Sequence, residues 1–285
     1  MKLSVDVGRC TLCGACIVTC PSDMVRRRDD RIKIGRIACL ECGHCVAVCP
    51  TGAVVDAEGA EGLAAGEVAA PAEALEGLIR RRRTVRRYTE APVPREVLER
   101  CLEAARWAPT AANGQPQEYV VLTTPEARAA LRGDIEAHYR AFAEALADPE
   151  RRAERLQALG LDPAAAAHPH VLAAVPAFVR AVDAGRDRLF FGAPAVIVIH
   201  AAEEAVMPNA ACAFAALTIV LMAEAHGLGT CLTGFASDAL RSRPDLRERL
   251  GLPPGNQVHY VIALGWPAES FHGTPDRRPV RADWR

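Results

Sequence analysis

Eight of the eleven cysteines lie in the first fifty residues of this 285-residue chain. They form two runs, CTLCGACIVTC at residues 10–20 and CLECGHCVAVC at residues 39–49, and a proline follows each run. In each run three cysteines are separated from one another by two residues, and a fourth follows after three more. Thiolates at this density are typical ligands of zinc and of iron–sulfur clusters, so the pattern predicts a metal centre.

The spacing favours iron–sulfur clusters over a single ion. The pattern C-x2-C-x2-C-x3-C-P is typical of bacterial ferredoxins with two clusters, in which three cysteines surround one cluster and the fourth serves the other. Gly14 and Gly43 let the backbone approach each cluster closely. The predicted ligands of two [4Fe–4S] clusters are Cys10, Cys13, Cys16 and Cys49 for one, and Cys39, Cys42, Cys45 and Cys20 for the other.

Zinc is the alternative, because two C-x2-C pairs can form a zinc ribbon with four ligands. Eight cysteines, with a third cysteine and a Cys-Pro pair in each run, exceed what a ribbon requires. His44 stands between two of the predicted ligands, where it can either donate to a cluster or face solvent, and we expect it to be exposed. A two-cluster module is the preferred interpretation.

Composition limits the classes of function. Half of the residues are hydrophobic, which permits a sizeable core, and the net charge of −1 gives no electrostatic argument for nucleic acid or a membrane as partner. The first residues lack the apolar run of a signal peptide. The longest apolar stretch, residues 210–223, is shorter than the roughly 20 residues that span a bilayer. These features predict a soluble, cytoplasmic protein.

Three segments follow one another along the chain. Residues 1–57 contain the repeated cysteine runs and are expected to be stabilised by their clusters. Residues 58–74 are rich in glycine and alanine and lack aromatic residues, which predicts a linker. In residues 75–285, helices are predicted at 95–108 and 210–226, and strands at 119–122, 193–201, 229–235 and 259–264. This alternation alone indicates an α/β or α+β domain.

The loops of this second domain carry five short motifs in a fixed order. They are RRTVR at residues 82–86, PTAANGQPQ at 109–117, GLGTCLTGF at 227–235, LGWPAE at 264–269 and RRP at 277–279. Together they resemble the FMN-dependent nitroreductase family over about residues 75–285. The resemblance implies an α+β sandwich, with a mixed sheet covered by helices, and a homodimer with FMN at the subunit interface.

The resemblance also implies which residues contact FMN. Arginine forks and a hydroxyl suit the flavin phosphate, and an asparagine and a glycine-containing segment lie beside the ring in this family. The predicted FMN contacts are Arg82, Arg83, Thr84, Arg86, Asn113, Thr233, Gly234, Arg277 and Arg278. Two positions depart from the family pattern, since Pro275 replaces a frequent lysine and Gln117 a frequent aromatic residue.

The remaining cysteines and the histidines suggest no catalytic group. Cys101, Cys212 and Cys231 fall on apolar helix faces or in a strand, where we expect buried core thiols. No histidine is paired with a cysteine or serine motif, and water can supply protons, so no catalytic residue is predicted.

Joined in one chain, the two modules predict an enzyme. An external low-potential donor, such as a ferredoxin, or NAD(P)H supplies electrons, the clusters pass them to FMN, and FMN reduces a small nitro, quinone or activated alkene compound. One alternative is the same architecture used for oxidative dehydrogenation or reductive dehalogenation. Another is a non-enzymatic electron-transfer partner within a larger complex.

Overall fold

The computed structural model describes residues 3–56 and 71–285. Its described residues divide into two compact units. The first comprises those up to residue 72 together with Thr110–Gly114, and the second comprises Glu73–Pro109 together with Gln115–Arg285. The predicted linker at 58–74 falls mostly outside the described residues, so its boundaries stay a prediction.

The first unit is built from short elements that repeat once. Strand β1 (Leu3–Val5) pairs antiparallel with β4 (Val54–Asp56), and β2 (Val25–Arg28) pairs in the same way with β3 (Arg31–Ile34). Two cysteines, Cys16 and Cys45, are buried in its small core with Val25, Ile32 and Val54. The elements in chain order are β1 (Leu3–Val5), α1 (Ala15–Val18), β2 (Val25–Arg28), β3 (Arg31–Ile34), α2 (His44–Ala47) and β4 (Val54–Asp56).

The second unit is larger and contains nine helices and four strands among the described residues. They are α3 (Ala72–Arg81), α4 (Arg95–Arg106), β5 (Glu118–Leu122), α5 (Pro125–Ala147), α6 (Arg152–Ala158), α7 (Pro163–Ala166), α8 (Pro169–Asp183), β6 (Ala195–Ala202), α9 (Pro208–Ala225), β7 (Gly229–Leu232), α10 (Gly234–Ser242), α11 (Pro244–Arg249) and β8 (Asn256–Gly265). The first residue of α3 is grouped with the first unit.

The four strands form one sheet in the order β5-β6-β8-β7, and every neighbouring pair is antiparallel. Parallel pairing appears in the described residues at one isolated bridge, between Thr84 and Thr230. Helices and an antiparallel sheet confirm the α+β class, and the mixed character of the sheet is limited to that bridge.

Strand β6 explains how helices cover both faces of this sheet. Its residues are almost all buried, and alternate side chains point to opposite faces. Val196 and Val198 contribute to one core, together with residues of α5, α8 and α10. Ile197 and Ile199 contribute to the other core, together with residues of α4 and α9. A strand buried on both faces reads as a continuous apolar run, which is why the sequence predicts it well.

Helix α5 begins at residues that favour a helix start. Thr124 precedes α5 and its hydroxyl accepts a hydrogen bond from the Ala127 amide at 3.3 Å, and Pro125 occupies the first helical position. Helix α5 ends at Ala147, and the next residue, Asp148, precedes Pro149, a position at which the helical conformation is disfavoured.

Helix α9 is longer than the apolar stretch read from the sequence. It spans 18 residues with a mean hydropathy of 1.5, and 39% of it is buried inside the unit. In the described part of the chain it is the one helix whose length and composition would allow it to cross a membrane. The core helix of a soluble protein has the same properties.

Candidate cluster and flavin sites

The two cysteine loops adopt the same unusual backbone at equivalent positions. Leu12 and Gly14 have positive φ angles of 57° and 79°, and their counterparts Glu41 and Gly43 have 51° and 73°. Each glycine immediately precedes the short helix that carries the third cysteine. Two left-handed residues within three positions fold each loop into a tight cup, and the glycines are the residues that adopt this conformation at least cost.

The structure brings the first predicted ligand set together. One small cavity has walls formed by the side chains of Cys10, Cys13, Cys16 and Cys49, although Cys49 belongs to the second run. No group of three or more His, Cys, Asp or Glu side chains in the described residues is close enough to hold a single metal ion. Four thiols that line one cavity, with no three of them close enough to hold a single ion, fit a cluster better than a zinc ion.

Three of the four predicted ligands of the second set lie together. Burial raises the pKa of the Cys45 thiol, and the nearby thiols of Cys42 and Cys39 raise it further, which shows that these three lie together. Cys20 belongs to the same small core as Cys45. His44, between the ligands, is exposed as expected.

The fourth cysteine of each run accepts a hydrogen bond from the backbone amide four residues later in the chain. The Met24 amide donates to Cys20 Sγ at 3.3 Å, and the Ala53 amide donates to Cys49 Sγ at 3.1 Å. Partial burial raises the pKa of Cys49, but these and neighbouring donors outweigh it and lower the pKa to about 7. Such donors stabilise the thiolate that ligates iron, and they tune cluster potential.

Asn113 lies in the first unit, whereas the other predicted flavin contacts lie in the second. Its side-chain amide donates to the carbonyl oxygens of Leu40 and Glu41, at 3.3 and 3.1 Å. Its backbone is left-handed, with φ of 54°, a conformation that asparagine tolerates better than most residues. The structure thus shows a contact with the cysteine loop, and contact with a flavin stays a prediction.

The RRTVR motif is fixed along the edge strand β7. Thr84 forms the parallel bridge to Thr230, and the Val85 amide donates to the Thr230 carbonyl at 3.0 Å. Gly229 makes this approach possible, since a Cβ there would overlap with the Val85 side chain. The motif and the glycine-rich segment that the resemblance associates with FMN are therefore neighbours.

The arginines of this motif differ in what they can offer a phosphate. The Arg82 side chain makes no hydrogen bond or ion pair within the described ranges, 3–56 and 71–285. The Arg83 guanidinium donates to the carbonyls of Arg80 and Arg82 at 2.6 and 2.7 Å, and to that of Gly273 at 3.5 Å. Arg83 thus ties the motif to the start of the C-terminal tail, on which Arg277 and Arg278 are exposed.

Arg86, Thr233 and Gly234 meet at one cavity of about 580 Å³, here named the Arg-lined cavity. A Cβ on Gly234 would meet no atom within 4 Å, so the packing of the chain itself does not require glycine there. The Thr233 amide donates to the Val261 carbonyl at 2.9 Å. The lining residues are Arg86, Ala174, Ala177, Phe178, Ala181, Arg186, Arg188, Phe191, Cys231, Leu232, Thr233, Gly234 and Phe235.

Several of these lining residues were not predicted. Phe178 comes from α8, and Arg186, Arg188 and Phe191 come from the loop after it. The sequence offered one signal, the alternation Arg-Asp-Arg at residues 186–188, in a region from which no substrate preference was predicted. Cys231 lines the cavity while being 97% buried.

The other two thiols are core residues, as expected. Burial raises the pKa of Cys101 to about 11 and that of Cys212 to about 12, and both side chains are fully buried. Neither is available to a substrate.

Residues 79–266 match the sequence model of the nitroreductase family, and residues 2–50 match that of the 4Fe-4S dicluster domain. The first match spans more than half of the chain. The chain belongs to the nitroreductase family. The predicted architecture, an N-terminal iron–sulfur domain joined to a nitroreductase domain, is confirmed, and the dicluster match favours clusters over the zinc alternative.

The chain is similar in sequence to two characterised proteins and in fold to a solved nitroreductase structure. The chain is 31% identical over 221 residues to NADH dehydrogenase of Thermus thermophilus, covering 70% of this chain and 88% of that protein. It is 29% identical over 214 residues to chloronitrobenzene nitroreductase of Comamonas testosteroni, covering 69% and 88%. The crystal structure of a nitroreductase with bound FMN from Desulfitobacterium hafniense is similar in fold, with a TM-score of 0.50, 23% identity, and coverage of 72% of this chain and 94% of that chain.

Proposed function

We propose that this chain is an FMN-dependent oxidoreductase that reduces a small nitro, quinone or activated alkene compound with electrons received through two [4Fe–4S] clusters. The observation that carries the proposal is the joining, in one chain, of a dicluster domain and a nitroreductase domain. When bound, the clusters transfer single electrons, and FMN collects them and reduces the substrate. An isolated ferredoxin would not require the second domain.

The residues of the second unit fit FMN. Gly234 opens onto the Arg-lined cavity with no atom near its missing side chain, as expected where a flat ring lies against the backbone. Arg86 stands at the same cavity and can face the polar edge of the ring. Because Arg83 already donates to three carbonyls, we assign the phosphate to Arg82 and Thr84, with Arg277 and Arg278 closing the site from the tail.

The residues of the first unit fit two clusters. Cys10, Cys13 and Cys16 share a cavity with Cys49, and the amides that donate to Cys20 and Cys49 hold the two crossing ligands in place. The chain's own contribution to electron transfer is to orient these thiolates and to exclude water from Cys16 and Cys45, which are buried.

A homodimer in the cytoplasm completes the proposal. Helix α9 is buried on one side only, and Phe214 and Leu217 on its other side are 46% and 54% exposed. Val206 and Met207, just before the helix, are also exposed. A second copy of the chain would cover this apolar surface, as the family resemblance implies, and a dimer accounts for it without a membrane.

Counting cofactors tests the cofactor part of this proposal. Protein purified without oxygen should contain about eight irons, eight sulfides and one FMN per chain, and its absorption spectrum should show both flavin and iron–sulfur bands. Roughly four irons per chain would mean that the protein holds one [4Fe–4S] cluster and not two. Absence of flavin from protein produced in riboflavin-rich medium would contradict the assignment of FMN as a cofactor.

The electron path needs a separate measurement. Flavin bleaching should be fast with a reduced ferredoxin as donor, and it should slow strongly after Cys13→Ser or Cys42→Ser, each of which removes one ligand from one cluster. Cys101→Ser is the matched control, because Cys101 is a buried thiol outside both sets. Equal bleaching by NADPH in wild-type and cluster-free protein would show that the clusters are not the route.

A further inference from the structure

The Arg-lined cavity holds three arginines and no acidic residue among its lining side chains. Arg86, Arg186 and Arg188 are all exposed to solvent, and none of them forms an ion pair with a described carboxylate. Elsewhere on the same unit, arginines such as Arg140 and Arg249 are paired with aspartates. The cavity is therefore a local concentration of positive charge that the chain does not neutralise.

Asp187 separates two of these arginines in sequence and yet does not neutralise them. Its carboxylate accepts hydrogen bonds from the amides of Leu189 and Phe190 at 2.9 Å each, and from the Gly192 amide at the same distance. It also lies 3.8 Å from Arg132, on α5. The Asp187 carboxylate thus holds the loop backbone in place. Arg186 and Arg188 line the cavity without an ion-pair partner among the described residues.

Aromatic rings line the same cavity. Two guanidinium groups lie near the ring of Phe191, those of Arg86 and Arg188, each 5.9 Å from its centroid. The rings of Phe178 and Phe235 stack at 4.6 Å with an interplanar angle of 18°. Phe191 also has a left-handed backbone, with φ of 57°, a conformation that costs free energy in a bulky residue and is here fixed by the Asp187 contacts.

We propose that Arg186 and Arg188 bind the carboxylate of an aromatic substrate whose ring lies against the phenylalanines of the cavity. The proposal rests on the proposed function, since it names the substrate class of that site. A planar guanidinium matches a carboxylate with two parallel hydrogen bonds, and an aromatic wall matches a ring. Arg82 and Thr84, to which the FMN phosphate is assigned, do not line this cavity, so the pair from residues 186 and 188 is left for a second anion.

The test compares a charged substrate with a neutral one of the same shape. Steady-state reduction of 4-nitrobenzoate and of 4-nitrobenzamide is measured with wild-type holoenzyme and with the Arg186→Gln/Arg188→Gln double variant. The expected result is a rise of at least about tenfold in KM for the carboxylate, with KM for the amide and both kcat values changed by less than about twofold. Arg180→Gln is the matched control, since Arg180 is an exposed arginine of α8 that does not line the cavity.

Direct binding separates this inference from the function on which it rests. Benzoate, which has no reducible group, should perturb the flavin absorbance of the oxidised wild-type holoenzyme, and its Kd should rise about tenfold in the double variant. FMN affinity should stay the same. Equal losses for benzoate and benzamide, or loss of FMN itself, would overturn the inference, the latter by assigning these arginines to the FMN phosphate. Failure of both nitro compounds to react, with benzoate binding as expected, would count against the proposed reaction alone.

Discussion

The side-chain amide of Asn113 donates a hydrogen bond to the carbonyl oxygen of Glu41 at 3.1 Å. A second one goes to the Leu40 carbonyl at 3.3 Å, and both carbonyls lie between the predicted cluster ligands Cys39 and Cys42. Asn113 belongs by sequence to a nitroreductase motif, but residues 110–114 are grouped with the iron–sulfur unit. The residue predicted to contact FMN is therefore also a support of a cluster loop.

Replacing Asn113 with alanine should loosen that loop. Two hydrogen bonds of about 1 kcal/mol each would be lost, so iron should leave the cluster of Cys39, Cys42 and Cys45 about tenfold faster in the presence of a chelator. Loss of the iron–sulfur absorbance under anaerobic conditions measures this rate. Asn113→Asp keeps the size of the side chain and removes both donors, so this variant should release iron at least as fast as Asn113→Ala. If both variants release iron at the wild-type rate, the contacts do not hold the loop.

Two glycine substitutions separate flavin binding from folding. Gly234→Ala places a methyl group into the open Arg-lined cavity, so FMN affinity should fall by about tenfold or more while stability stays within about 0.5 kcal/mol of wild type. Gly229→Ala instead drives a Cβ into Val85 and should destabilise the fold by on the order of 2 kcal/mol. Flavin fluorescence titration and urea unfolding report the two effects. Normal FMN binding by Gly234→Ala would remove this glycine from the flavin site.

Features with local causes were predictable from sequence. Ligand spacing predicted that Cys10, Cys13 and Cys16 meet Cys49, because one tight loop must carry three ligands, and these four residues line one cavity. The buried strand β6 was predicted as an apolar run. Strand β2 was not predicted, because three consecutive arginines in residues 25–28 obscure its alternation.

Features that depend on tertiary structure were out of reach. Arg186 and Arg188 are ordinary charges in the sequence, and their role appears only when α8 and the loop after it are seen to wall the Arg-lined cavity. Asn113 could be matched to a family position, but the carbonyls that it contacts are more than seventy residues away. Motif comparison also could not predict that the Arg83 guanidinium donates to backbone carbonyls.

Stability should fall in mild acid because of His138. This side chain is 2% exposed, and burial, with a smaller effect of Arg243, lowers its pKa to about 4, although Asp245 acts in the opposite direction. As pH falls below the unfolded value of about 6.5, the unfolded chain gains a proton that the folded chain does not take up until near pH 4. The free energy of unfolding is therefore expected to fall by about 2 kcal/mol between about pH 7.5 and about pH 5.

Substitution isolates this contribution. His138→Leu should flatten the pH dependence of the denaturant midpoint measured by circular dichroism, whereas His272→Asn, at an exposed position of the tail, should leave it as in wild type. An unchanged slope in His138→Leu would mean that other groups carry the effect, such as the buried His200 and the partly buried His259, whose pKa values are also lowered by burial.

Arg82 and Arg83 should differ in what their loss damages. Arg82→Gln removes a guanidinium that has no partner within the described residues, so it should weaken FMN binding about tenfold or more, as expected for a charge-assisted contact with a phosphate, and leave the unfolding midpoint unchanged. Arg83→Gln removes the donors to the carbonyls of Arg80 and Gly273. It should lower stability by about 1–2 kcal/mol and disturb FMN less. Fluorescence titration with FMN and with riboflavin, which lacks the phosphate, distinguishes them, because only the Arg82 variant should lose the preference for FMN. The reverse result would place the phosphate at Arg83 and make Arg82 the structural residue.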